Sequence, residues 1–243
     1  LKPFVCSSHP LYCSKSWSPQ RFCDELYSRY LLQSDVASFR RLVASVSIFG
    51  TTWDDHDFAW NDSHGVGESN DDRDNHYVNR EKRLITRALH LQFRHWLRVK
   101  PFVGSYPDQP NIDNILRGED KGIEEHIDVA NICIIMTDGR YYRQQRYRSS
   151  TSQFGKAQKL WIDTLLQGHN GIKILCSGTA LRVGKERWAK YNDLTWLRQR
   201  NLTHTVILSG DTHRNNFTRH SDLQNMLEVT SSGAARPPSP WPL

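Results

Sequence analysis

The sequence predicts an α/β layered fold, and three observations support that prediction. Apolar residues recur at three- and four-residue steps from Tyr77 to Leu97, the pattern of an amphipathic helix. Apolar runs at 127–138 and 171–178, the first of them rich in β-branched residues, predict buried strands. Helical segments separate the apolar runs, and this alternation favours helices packed on a sheet.

The segments before the long helix are predicted in turn. Residues 1–20 are rich in serine and proline and predict an irregular segment. Apolar positions at helical spacing predict one or two helices over 21–44. The run "VASVSIFG" (43–50) predicts a small strand, and the charged, turn-rich stretch 101–126 predicts a long connection.

The second half of the chain continues the alternation. The predicted elements are a helix over 155–168 that ends at a glycine, a polar helix near 186–200, a strand within 203–217 that breaks into a loop, and a final strand within 226–233. The proline-rich end, 236–243, predicts a tail without regular structure. We therefore expect one domain over 21–235.

Composition excludes some classes of function. The 243 residues carry a formal net charge of +6, spread along the chain rather than in blocks, which is typical of a solvated surface. No nucleic-acid-binding motif accompanies the charge, so no specific nucleic-acid partner is expected. No stretch approaches the ~20 apolar residues of a membrane span, and no signal-peptide pattern opens the chain. Oligomeric state stays open.

The stretch "TTWDDHDFAWND" (51–62) concentrates acidic side chains in an aromatic setting. Asp54, Asp55 and Asp57 repel one another, and apolar neighbours raise the cost of ionising them. A bound cation would offset that repulsion. Capping of a helix amino terminus is the alternative interpretation.

Three polar loops follow predicted strands, and layered α/β folds bring such strand ends to one edge of the sheet. We therefore expect one cleft to contain Asp54, Asp55, His56, Asp57, Asn61, Asp138, Arg140, Arg143, Asp211 and His213. Carboxylates with a few imidazoles suit Ca²⁺, Mn²⁺ or iron. Arg140 and Arg143 would either clamp a phosphate or belong to an amphipathic surface.

Four motifs in order carry a family resemblance. The segments "WDDHDFAWND", "TDGRYYRQ", "GKAQKLWIDTLL" and "ILSGDTH" together resemble the PhoD-type alkaline phosphatases and phosphodiesterases of the metallophosphoesterase superfamily. The resemblance covers roughly Arg29 to Gly233. It implies a calcineurin-like sandwich of two mixed β-sheets flanked by helices, a multinuclear metal centre, hydrolysis of phosphate mono- or diesters, and export from the cytoplasm.

The resemblance also implies roles for individual residues. His56 and Arg140 would be catalytic, and Arg140 and Arg143 would bind the phosphate ester substrate. The implied metal ligands are Asp54, Asp55, Asn61, Asp211 and His213. The implied metals are Ca²⁺ and Fe³⁺, with Mn²⁺ as another candidate.

The sequence departs from the family pattern before its acidic stretch. The family has a G-D-x-x-Y-x-D segment whose first aspartate bridges two metals, whereas the one Gly–Asp pair of this chain is Gly210–Asp211. Two metals need such a bridge to clamp a nucleophile and a phosphoryl oxygen. We therefore expect a metallophosphatase domain lacking its amino-terminal part, with weak or absent turnover. The alternatives are a non-catalytic remnant of the family and an anion- or nucleic-acid-binding module.

Overall fold

The computed structural model describes residues 16–67, 76–99, 105–144, 150–184 and 187–231. They form two compact units. The helical unit comprises the described parts of Leu1–Gly50, Asp55–Ser63 and Glu68–Lys121, and the sheet unit those of Thr51–Asp54, His64–Gly67 and Gly122–Leu243. The predicted tail (236–243) and residues 1–15 of the predicted irregular segment lie outside the described residues.

The helical unit contains five described helices. They are α1 (Pro19–Asp35), α2 (Ala37–Ser45), α3 (Asp55–Phe58), α4 (Arg80–Arg98) and α5 (Ile112–Leu116). The Ser18 and Asn79 side chains cap α1 and α4 by accepting from backbone N–H groups of the first turns. The predicted helices at 21–44 and Tyr77–Leu97 are thereby confirmed, each within a few residues.

Aromatic packing between α1 and α4 forms the core of the helical unit. The rings of Tyr30 and Phe93 lie 4.7 Å apart, and Trp96 stacks on Phe93 at 5.9 Å. Thr86 of α4 donates a 2.7 Å hydrogen bond to the carbonyl of Phe58, which fastens the short α3 to the long helix. The apolar stripe of the sequence therefore faces its neighbouring helix, as its period indicates.

The strand predicted over 43–50 is wrong. Residues up to Ser45 complete the last turns of α2, with Val43 buried, and residues 47–50 carry no strand pairing. A short apolar run is compatible with a helix or a strand, and the first residues of this run belong to helix α2. The stretch 101–126, predicted as a long connection, also contains α5 and the first two residues of a strand.

The sheet unit contains a six-stranded mixed sheet. Its strands are β1 (Glu125–Val129), β2 (Ile132–Met136), β3 (Ile172–Ser177), β4 (Thr205–Ser209), β5 (Asn216–His220) and β6 (Met226–Thr230), in the spatial order β1-β2-β3-β4-β6-β5. The four central strands are parallel, and the two edge strands are antiparallel to them. The predicted α/β class is confirmed.

Two parts of the strand prediction are corrected. The run 127–138 is a hairpin rather than one strand, because Ala130 takes a left-handed conformation (φ 51°) and the chain reverses between Asp128 and Cys133. A nearly continuous apolar run conceals such a two-residue turn. Strand β5, which the sequence did not predict, is a polar edge strand.

Two helices cross between the parallel strands. Helix α6 (Gly155–Gly168) connects β2 to β3, and α7 (Asp193–Arg198) precedes β4. Their apolar side chains and one sheet face form the core of this unit, which includes Ile135, Phe154, Ile162, Leu175, Trp188 and Ile207. The polar helix predicted near 186–200 is shorter than expected and follows a 3-10 turn at Trp188–Lys190.

The described residues form one sheet, so the predicted second sheet of a sandwich is not confirmed by them. Among the described helices, none is both long and apolar enough to cross a bilayer.

Candidate functional site

The carboxyl ends of the central strands meet a short segment from earlier in the chain. In the sheet unit, a Cβ built on Gly178 would lie 2.4 Å from the carbonyl oxygen of Trp53, and one built on Gly210 would lie 2.9 Å from that of Gly178. The loops after β3 and β4 therefore touch each other, and the loop after β3 also touches segment 51–54. This is the sheet edge where ligands bind in open α/β folds.

Asp138 lies directly after β2 and is fully buried. Its carboxylate accepts hydrogen bonds from several segments at this edge. Its Oδ1 accepts from the indole Nε1 of Trp53 at 2.7 Å and from the backbone N–H groups of Arg140 and Tyr141, each at 2.8 Å. Its Oδ2 accepts from the N–H of Ile123 at 3.0 Å. Burial raises the pKa of Asp138 to about 6, against the opposing effect of these hydrogen bonds. The carboxylate of Asp138 thus stabilises the loop after β2 by accepting hydrogen bonds from its backbone N–H groups.

Arg140 is fully buried and paired with Asp54. Its Nε donates to Oδ1 of Asp54 at 2.8 Å, and its Nη2 contacts the same oxygen. The Asp54 side chain keeps 21% of its exposure. The structure therefore joins two sequence-predicted site residues that lie 86 positions apart, but the partner that the guanidinium meets is a carboxylate of its own chain.

Arg143 is also buried, at 1% exposure. Its Nε donates to the carbonyl of Gly139 at 2.8 Å, its Nη2 donates to Oε1 of Gln153 at 3.1 Å, and its guanidinium lies over the ring of Tyr191. Those contacts fix the loop after β2 to the segment before α6. The surface interpretation of Arg143 is wrong, and its predicted contact with a substrate stays a prediction.

Asp55, in the helical unit, closes a turn. Its Oδ1 accepts from the N–H of His56 at 2.8 Å, and its Oδ2 accepts from the N–H of Asp62 at 2.9 Å. Both carboxylate oxygens therefore stabilise α3 and the residues that follow it, which is close to the capping alternative. His56 is exposed and Asn61 is half-buried.

Asp211 and His213 follow β4 in the sheet unit and are half-buried. Both have positive φ, 69° and 52°, in a tight turn. A Cβ on Gly184 would lie 3.1 Å from Oδ2 of Asp211, so this carboxylate sits against the loop after β3. A non-glycine residue held at positive φ costs backbone energy, and such positions cluster at functional sites.

The described residues do not fit the multinuclear metal centre that the resemblance implies. Among them, no group of three or more His, Cys, Asp or Glu side chains is arranged to hold a metal ion. Asp54 faces Arg140, and both oxygens of Asp55 accept backbone hydrogen bonds.

The sequence did not identify the loop after β3 as part of this edge. Gly178 and Gly184 of that loop contact the Trp53 carbonyl and Asp211. The rule applied to the other strands would have found it, because "TALRVG" directly follows the predicted buried strand at 171–178.

A cavity of about 610 Å³ lies at the start of α6 in the sheet unit. Trp196 lines it, with Nζ of Lys159 at 5.5 Å and Cζ of Arg200 at 5.2 Å from the ring. Both cations already have acidic partners, since Lys159 contacts Asp193 at 3.0 Å and Arg200 pairs with Asp163. The cavity is therefore amphipathic, with largely neutralised charge.

Comparisons with known proteins give a structural likeness without a match in sequence. No family model matches the chain, and no curated protein matches it in sequence. Among solved structures, the chain is similar to one described as "Structure of PhoD", with a TM-score of 0.49 and 17% sequence identity. The match covers 74% of this chain and 38% of that one, so the chain spans well under half the length of that structure.

Proposed function

We propose that this chain is a phosphoesterase-type domain, related to enzymes that hydrolyse phosphate mono- or diesters with metal ions, in which the metal-binding part of the site is incomplete. The observation behind this proposal is the Asp54–Arg140 pair at the carboxyl edge of the sheet. A buried guanidinium there is the group that would neutralise a phosphoryl oxygen. In this proposal the carboxylate of Asp54 competes with a phosphate ester for the Arg140 guanidinium.

The residue roles follow from the series of motifs. Arg140, supported by Arg143, would bind the phosphate group, and His56 would protonate the leaving oxygen. The ligand set of Asp54, Asp55, Asn61, Asp211 and His213 for Ca²⁺, Fe³⁺ or Mn²⁺ is carried by the resemblance alone. We expect turnover by this chain to be weak or absent, and we extend to it the extracytoplasmic location that the resemblance implies.

Phosphate binding tests the role of Arg140. Replacing Asp54 by Asn removes the competing charge, so Asp54→Asn should bind inorganic phosphate more tightly than the original chain in calorimetry. Arg140→Lys in the same background should lose that gain. Asp222→Asn is the matched control, because it releases the exposed Arg182 and Arg198 instead. Equal phosphate affinity in Asp54→Asn and the original chain would refute the role of Arg140.

Hydrolysis tests the incomplete metal site. Bis(4-nitrophenyl) phosphate and 4-nitrophenyl phosphate are incubated with the chain and added Ca²⁺, Mn²⁺ or Fe³⁺. We expect weak hydrolysis, or none, above that of the metal alone. Robust turnover that disappears in Asp55→Ala would show that the chain completes a metal centre. Absence of both turnover and phosphate binding would favour the non-catalytic remnant.

A further inference from the structure

Three Asn-x-Ser/Thr triplets, the acceptor pattern for N-linked glycans, occur in the chain. They begin at Asn61, Asn201 and Asn216. A glycan is bulky and hydrophilic, so the asparagine that carries it must lie on the surface with its side-chain nitrogen accessible. The fold meets that requirement to different degrees at the three triplets.

The turn around Asn201 meets it fully. This turn joins α7 to β4 within the sheet unit. Leu202 is buried, at 3% exposure, whereas its neighbours Asn201 and Thr203 are both exposed. The buried leucine therefore anchors the turn and leaves the first and third residues of the triplet in solvent.

Hydrogen bonds hold this turn in one shape. Oδ1 of Asn201 accepts from the backbone N–H of Thr203 at 3.0 Å and from its hydroxyl at 2.6 Å. Oε1 of Gln224 accepts from the N–H of Leu202 at 3.1 Å, and Nε2 of Gln224 donates to the carbonyl of Arg200 at 2.7 Å. Among the described residues, none accepts a hydrogen bond from Nδ2 of Asn201. A sugar attached to that nitrogen would therefore break none of these contacts.

The other two triplets are less suitable acceptors. Asn61 is half-buried, and Ser63, which supplies the hydroxyl of its triplet, is fully buried. Asn216 is exposed, but its Nδ2 already donates to the hydroxyl of Thr218 at 2.9 Å. Of the three asparagines, Asn201 alone combines exposure with a side-chain nitrogen that has no acceptor among the described residues.

We propose that Asn201 carries an N-linked glycan. The co-reactant is an oligosaccharide linked to a lipid pyrophosphate. Nδ2 of Asn201 bonds to C1 of the first sugar and loses one proton, while the bond from C1 to the pyrophosphate oxygen breaks and the lipid pyrophosphate leaves. This step needs delivery to a secretory compartment, so the inference rests on the extracytoplasmic location included in the proposed function.

The glycan would lie away from the candidate site. Asn201 precedes β4, whereas Asp211 follows it, and a strand of five residues spans about 16 Å. The glycan would therefore stand at the amino edge of the parallel strands, opposite the Asp54–Arg140 pair at their carboxyl edge. A substrate could reach the carboxyl edge with the glycan in place.

Expression in animal cells behind a cleavable signal peptide tests the inference. The delivered chain, whether secreted or retained, is run on a gel before and after treatment with peptide-N-glycosidase, and mass spectrometry of the peptide that contains Asn201 measures its occupancy. We expect a glycan on Asn201. Asn201→Gln and Thr203→Ala should each lose one glycan step in mobility, whereas Thr203→Ser should keep it because the hydroxyl remains. Asn61→Gln is the matched control and should leave the mobility unchanged.

Two results would overturn the inference. One is an unmodified Asn201 in the delivered chain, and the other is an unmodified Asn201 in the protein isolated from its own organism. The phosphate-binding measurements of the proposed function use chain made in bacteria, which lacks the glycan. The role of Arg140 and the modification of Asn201 can therefore fail separately.

Discussion

The indole nitrogen of Trp53 donates a 2.7 Å hydrogen bond to Oδ1 of Asp138, a residue 85 positions further along the chain. Both side chains are buried, at 1% and 0% exposure. The bond joins segment 51–54 to the loop after β2, next to the Asp54–Arg140 pair. The aromatic frame of the acidic stretch is therefore a source of hydrogen bonds as well as of apolar surface.

Trp53→Phe tests that bond directly. The change removes the donor and leaves Oδ1 of Asp138 with its two backbone partners, so we expect a loss of about 1–3 kcal/mol in the free energy of unfolding. Urea denaturation at neutral pH measures it. Trp161→Phe, a similar change in a side chain at the edge of the core, is the control for lost aromatic volume. Equal losses in the two variants would assign the effect to packing.

Asp138 also makes stability depend on pH. Its pKa is raised from 3.8 to about 6 in the folded state, so between these values the folded chain holds a proton that the unfolded chain has released. The contribution of this group to stability is greatest below the lower value and falls as pH rises through the window, by on the order of 2–3 kcal/mol. The stability difference between the original chain and Asp138→Asn should therefore shrink from pH 4 to about pH 6. A stability difference that stays constant from pH 4 to about pH 6 would contradict this prediction.

The Asp54–Arg140 pair should be costly to break. Replacing Asp54 by Asn leaves a fully buried guanidinium without a charged partner, and we expect a loss of about 2–4 kcal/mol, reduced by the partial exposure of Asp54. Asp222→Asn breaks two exposed pairs and should cost less than about 1 kcal/mol. Thermal or urea unfolding of both variants decides the matter. A loss below that of Asp222→Asn would mean that Arg140 is solvated.

Two glycines offer opposite outcomes for the same substitution. A Cβ at position 178 would lie 2.4 Å from a backbone oxygen, so Gly178→Ala should destabilise the sheet unit by about 1–3 kcal/mol. Gly168, at the end of α6, has no atom within 4 Å of a built Cβ. Gly168→Ala should be neutral or stabilise by up to about 1 kcal/mol, because alanine favours helix. Denaturation midpoints compare the pair, and a neutral Gly178→Ala would show that segment 51–54 moves away easily.

Added metal ions test the proposed incompleteness of the metal site, and we expect little effect on the stability of the described part of the chain. A ligand that binds only the folded state raises the melting temperature, and the described residues provide no cluster of three or more metal-ligating side chains. Melting curves with Ca²⁺, Mn²⁺ or a chelator should therefore superimpose. A rise of several degrees that Asp55→Ala abolishes would instead support the predicted ligand set.

The sequence predicted the elements whose signal is local. The helical period predicts α4, and apolar runs predict β3 and β4. In each case the buried stripe or strand shows as a pattern of apolar residues within one short stretch of sequence. Turns within apolar runs are less visible. The hairpin at Ala130 and the polar edge strand β5 depend on pairing partners elsewhere in the chain, so the sequence did not separate them from a strand and a loop.

The candidate site divides in the same way. The sequence alone placed Asp138 and Arg140 after a buried strand, whereas the strand that it predicted before Asp54 is the end of a helix. Only the tertiary structure decided that Arg140 pairs with Asp54 and that Asp138 accepts hydrogen bonds from backbone N–H groups. The physical reason is that the partner of a buried charge is set by which loops the sheet brings together, and residues 86 positions apart carry no local sign of that contact.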